Sequence, residues 1–104
     1  MMQETTAPDG EILISLDGPL DATAAWQITG RLVDLPSGVN VVVDFSGVNE
    51  FLDLGVAVMA HGLAEVQRAN VVMRGLQEQQ HRLFRYFGVD AEVEPGATSG
   101  YFTL

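Results

Sequence analysis

The sequence predicts a single α/β domain, built on a mixed, mostly parallel sheet of about four to five strands with helices after the strands. Three observations carry this. Short apolar or alternating runs trade places with stretches of helical period along the chain. The run Val41-Val42-Val43 is β-branched without alternation, as in a strand covered on both faces. A length of 104 residues, 47% of them hydrophobic, makes one domain able to bury about two-thirds of its unfolded surface.

Taken in order, residues 1–9 are polar, contain Pro8 and Asp9, and read as a flexible lead-in to a domain spanning 10–104. From Glu11 to Leu16 the chain alternates, with Ile12, Ile14 and Leu16 on one face: a strand. Asp17-Gly18-Pro19 reads as a turn. Asp21 is placed to cap a helix whose apolar face is Ala25, Ile28, Leu32 and Leu35, ended by Pro36-Ser37-Gly38. A buried strand follows from Val39 to Phe45, then a Ser46-Gly47 turn, then a short loop or extended stretch from Val48 to Asp53. The second helix takes Asp53 as its cap and buries Val56, Met59, Ala60, Leu63 and Val66. Another strand is expected from Asn70 to Met73. Leu76, Leu83, Phe84 and Phe87 define a third helix, with Gly88 just past its end. A last strand is expected from Tyr101 to Leu104. In such sheets, sites gather in the loops after the strands' carboxyl ends, here Asp44 to Asp53 and Arg74 to Gln77.

Composition removes several function classes. With no cysteine there is no disulfide, thiol catalysis or Cys-based metal site. Five arginines and no lysine against 14 acids give a net charge of −9, which repels phosphate backbones and anionic lipid. Neither nucleic acid nor insertion into a membrane is expected. No apolar run reaches the roughly 18–20 residues of a membrane span. Met1-Met2-Gln3-Glu4-Thr5-Thr6 lacks the order of a signal peptide, so a cytoplasmic location is the expectation.

The residues that carry chemistry elsewhere are not arranged to do so here. The serines are Ser15, Ser37, Ser46 and Ser99, and none lies in a G-x-S-x-G elbow. His61 and His81 fall on different helices without a carboxylate three or four residues on, and read as surface or boundary residues. Neither phosphate-binding glycine motif occurs; Gly55, Gly62 and Gly75 read as turns and close packing. Asp44 and Asp53 flank one loop, but acid–base work needs a cleft that separates their pKa values. Trp26 is expected as a half-buried packing residue, with a binding platform as the alternative. Arg82, Arg85 and Tyr86 read as a solvated face, or else as a small anion or partner patch. No catalytic role, metal or cofactor is expected, and a binding or signalling module is.

The stretch Val41-Val42-Val43-Asp44-Phe45-Ser46-Gly47 … Phe51-Leu52-Asp53-Leu54-Gly55-Val56-Ala57 resembles the centre of a STAS domain. That family comprises anti-anti-sigma factors, stressosome subunits, some transporter tails and the small cytosolic subunit of phospholipid ABC transporters. Gly18-Pro19-Leu20-Asp21 is similar to the family's G-x-L-D before its first helix, and Leu83-Phe84-Arg85-Tyr86-Phe87-Gly88-Val89-Asp90 to its last helix and turn. The resemblance spans residues 10–104 and implies a bacterial, non-catalytic interaction module. Its expected partner is an anti-sigma factor of the histidine-kinase ATPase fold, making this chain an anti-sigma factor antagonist in transcription regulation. The alternative is a constitutive STAS subunit bound to a transporter ATPase; homodimers also occur in such domains.

Carried over residue by residue, the partner-binding positions are Asn49, Glu50, Asp53, Leu54 and Gly55, with Asp21 and Ala22 on the neighbouring loop. The departure lies at Leu54. Relatives under kinase control carry a serine directly after the aspartate, where its phosphate meets the positive end of the helix dipole. Here Asp53 is followed by Leu54 and Gly55, and no Ser, Thr or Tyr lies between Gly47 and Tyr86. No phosphorylation is expected at the usual site. Leu54 either offers a constitutive apolar contact or tucks into the fold as a staple.

Overall fold

A computed structural model describes residues 1–66 and 69–88, together with the backbone of 92–93 and 102–103. In chain order the elements are β1 (Met2–Thr6), β2 (Ile12–Leu16), β3 (Gly18–Leu20), α1 (Ala22–Val33), β4 (Asn40–Asp44) and β5 (Val48–Phe51). They continue with α2 (Asp53–Glu65), β6 (Asn70–Arg74), α3 (Glu78–Tyr86), β7 (Glu92–Val93) and β8 (Phe102–Thr103). The main sheet has the order β1-β2-β4-β6-β8-β7. Its centre, β2-β4-β6, is parallel, while β1 and the two-residue pieces β8 and β7 pair antiparallel at either side. A second sheet joins β3 and β5 in parallel. The α/β class and the mostly parallel sheet are as the sequence predicts.

The strands bury alternate residues. Ile12, Ile14, Leu16, Val41, Val43, Val71 and Met73 face the side where α1 and α2 pack, with Ala25, Ile28, Leu32, Val56, Met59 and Leu63 opposite them in one core. Val42 and Val72 are only half-buried. The expectation that β4 is fully covered on both faces is therefore corrected. A β-branched run fits a pleated surface whether its second face is covered fully or in part.

Short strands account for the other corrections. Met2–Thr6, expected in the lead-in, pairs with β2 along its whole length. Only Met2 of β1 packs against the core, so the strand carries no apolar period to read. Glu4 ties it to α1 through both carboxylate oxygens, which accept from Arg31 at 2.6 and 3.0 Å. Gly18–Leu20, expected as a turn, and Val48–Phe51, left open between loop and strand, pair with each other. Pro19 is tolerated there because a two-stranded sheet needs hydrogen bonds on one side only.

The helix ends follow local chemistry. Asp21 caps α1 as expected, its carboxylate accepting from the Ala24 N–H at 2.8 Å. At α2 the cap is Leu52, and Asp53 is the first helical residue, so Asp53 is not the cap. It serves the helix instead as an acid at the positive end of its dipole. Gln77 and Gln80 form a reciprocal capping box at α3. Gly88 follows the last turn with φ +96, as its expected place requires. The predicted Tyr101–Leu104 strand is present at Phe102–Thr103; Tyr101 and Leu104 lie outside the described residues, as do Val89 and Asp90.

Candidate docking surface

The two small strands decide where the helices begin. β3 leads into Asp21 and α1, β5 leads into Leu52 and α2, and their pairing sets the two helix starts side by side. The Leu52 N–H donates to the Leu20 carbonyl at 3.3 Å across that junction. Gly55 makes the approach possible: a Cβ there would lie 2.0 Å from the Leu20 carbonyl oxygen and 2.9 Å from the Asp21 carbonyl carbon. Backbone meets backbone, and only glycine fits. Two turns further on, a Cβ at Gly62 would lie 2.4 Å from Cγ2 of Thr29, whose hydroxyl donates to the Ala25 carbonyl at 2.9 Å. The helices thus run side by side in the same direction, with no large side chain at either crossing point.

Of the seven positions that the resemblance implies for partner binding, the fold brings Asp21, Ala22, Asp53, Leu54 and Gly55 together at this double helix start. Gly55 is buried and positions the turn; Asp53 and Leu54 are exposed. Leu54 is 66% exposed and does not tuck into the fold. Asn49 and Glu50, on β5, line a separate cleft of about 440 Å³ shared with Gln77, Gln80 and Leu83 at the start of α3.

Trp26 is 71% exposed, which corrects the expectation of a half-buried packing residue. At 100° per residue it lies about 130° from the centre of the α1 face formed by Ala25, Ile28 and Leu32. That offset is readable in the sequence, and Leu54 stands about 170° from its own helix's apolar face by the same count. Trp26 lies about 60° round α1 from Thr29, and Leu54 about 80° round α2 from Gly62. Both therefore flank the α1–α2 seam on its solvent side, and Leu52, also exposed, stands beside Leu54. Large apolar side chains gathered on one surface mark an interaction site more often than singly scattered ones do.

The other candidates resolve differently. Asp44 accepts from the Ser46 N–H at 2.9 Å and from the Arg74 guanidinium at 2.8 Å. Burial opposes its ionisation, but the Ser46 N–H and the Arg74 guanidinium outweigh it and hold the carboxyl below its usual range. It ties the two strand-end loops together through the Ser46 N–H and Arg74. His61 is exposed as expected, whereas His81 is buried at 9% exposure, contrary to the surface or boundary expectation. One turn after the capping box, position 81 turns inward with Phe84. Arg82 pairs with Glu78 on the exposed face of α3, where Arg85 and Tyr86 are also exposed.

The family model described as "Mlab, STAS domain" matches residues 4–95. The chain belongs to the STAS-domain family. No curated protein matches it in sequence. STAS domains are in general non-enzymatic modules that mediate protein–protein interaction. The match begins inside β1, so the family's domain takes in most of the strand expected as lead-in. Among the described residues no helix is long and apolar enough to cross a membrane.

Proposed function

We propose that this STAS domain is a non-catalytic docking module that holds its partner through the apolar surface on the α1–α2 seam, without phosphate control at the usual site. The observation that carries this reading is Leu54, 66% exposed at the start of α2, where regulated relatives present a serine. A hydroxyl there can be phosphorylated and the contact broken by charge; a leucine cannot. Burying such a side chain against a partner contributes about 1.5–3 kcal/mol, and an exposed tryptophan such as Trp26 is a favoured anchor. Asp21 and Asp53 supply an acidic border at the helix starts, with Asn49 and Glu50 in the separate cleft beside α3, and together they steer a basic partner surface.

The partner in this reading is an anti-sigma factor of the histidine-kinase ATPase fold, met in the cytoplasm, with the chain acting as its antagonist. A second reading, a constitutive subunit held on a transporter ATPase, is favoured by the same leucine. An apolar contact with no off-switch suits a permanent complex, whose interface is more hydrophobic than a transient one.

Affinity purification of the tagged chain from its native cells, with mass spectrometry of the partners and of the chain itself, tests both. Recovery of a kinase-fold anti-sigma factor with the chain unmodified supports the first reading. Recovery of a transporter ATPase selects the second. A chain recovered with phosphate and released from its partner by it contradicts the proposal.

A further inference from the structure

Gly30 sits in the middle of α1 and is exposed, and a Cβ added there would meet no atom within 4 Å. Its φ is not positive. Gly55 and Gly62 are demanded by close packing inside the fold; Gly30 is demanded by nothing in it. A glycine in a helix interior weakens the helix relative to alanine, so this position carries a penalty the isolated domain does not need.

Its surroundings point outward. Trp26 and Val33 stand one turn before and about one turn after it on the same side of α1, 71% and 46% exposed. On the other side, Met1 and Met2 form the far wall of an open cleft of about 760 Å³ whose floor includes Gly30. Gln27, Arg31 and Asp34 complete it. Open to solvent and of that extent, it has room for an element lying on the surface, such as a turn of helix, rather than for one side chain. Methionine walls adapt to apolar occupants. A bare backbone between apolar ridges is how helices approach one another closely.

We propose that a helix of the partner protein, apolar on one face and bordered by Lys or Arg, crosses α1 at Gly30 and seats against its bare backbone between Trp26 and the Met1–Met2 wall. This rests on the docking reading above and names the element that the partner brings. Charge selects the occupant. At the cleft itself Arg31 is engaged by Glu4, and the Met1 ammonium and Asp34 balance one another, so the acid surplus belongs to the chain as a whole, at −9. Two copies at −9 each repel as whole molecules, while a partner with a basic border is drawn in.

The test places a photo-reactive benzoylphenylalanine at Gln27, and in a separate chain at Leu54, and cross-links both in the native cells. Each adduct is mapped to its partner residue by mass spectrometry. Both positions are expected to reach one protein, with the Gln27 adduct on a helix flanked by Lys or Arg. Gly30→Ala is expected to raise the melting temperature by about 2–8 °C and to lower the yield of that adduct at least about tenfold. An adduct from Leu54 with none from Gln27, or an unchanged yield in Gly30→Ala, overturns the Gly30 contact and leaves the docking reading standing. No adduct from either position overturns both. A Gln27 adduct to a second copy of this chain overturns the choice of partner.

Discussion

At the scale of single residues, two glycines differ in what their neighbours can yield. Gly55 faces the Leu20 carbonyl, which cannot move without shifting β3, whereas Gly62 faces the Thr29 side chain. Gly55→Ala is expected to cost about 3 kcal/mol or more and Gly62→Ala about 1–3 kcal/mol. Chemical denaturation of the two variants checks the order, and equal losses would place the junction elsewhere. Asp44 gives a pH signature. Its carboxyl titrates below its unfolded value because the Ser46 N–H and the Arg74 guanidinium outweigh burial. Its contribution is therefore fully present above the unfolded pKa of about 4 and fades as the pH falls through the folded one. Asp44→Asn should be less stable than the wild type at pH 7, with the gap closing in acid; a gap that persists below about pH 2 would mean that charge is not the cause.

Elements carry their own tests. Leu63 lies in the core face of α2 at the spacing that the sequence shows, so Leu63→Ala should destabilise by about 2–4 kcal/mol. A loss near zero refutes the register of that helix. The capping box at α3 predicts a loss of about 0.5–2 kcal/mol for Gln77→Ala, measured by thermal unfolding. The long elements were legible because each keeps one apolar face over several turns or alternations, as Ile28, Leu32, Met59 and Leu63 do. The small ones were not. β1 packs only a half-buried Met2 against the core, and β3 and β5 have their meaning only as a pair. No window along the chain contains both members, so Gly18-Pro19 reads as a turn until Val48–Phe51 lies beside it. His81 escaped for a related reason: what buries it is the packing of α3 rather than any local pattern.

Across the whole molecule, the sheet and its helices could be read from hydrophobic period, and the site could be read only in part. Asp53 and Leu54 stood out through the resemblance, and the outward angles of Trp26 and Leu54 were countable. That the two helix starts converge was not legible, because Gly55 against Leu20 is a contact across 35 residues of chain. With a net charge of −9, association with a basic partner surface should slow about tenfold or more as ionic strength rises from about 0.05 to 0.5 M, while dissociation changes little. Stopped-flow rates check this, and a salt-independent association rate would remove charge steering from the account. The most direct test of the central claim compares the wild type with Leu54→Asp in a quantitative native pull-down, with thermal unfolding of both chains alongside. The side chain is solvent-facing, so the melting temperature should hardly move, and partner recovery should fall at least about tenfold. Undiminished recovery with an intact fold would contradict the claim that this surface is where the partner docks.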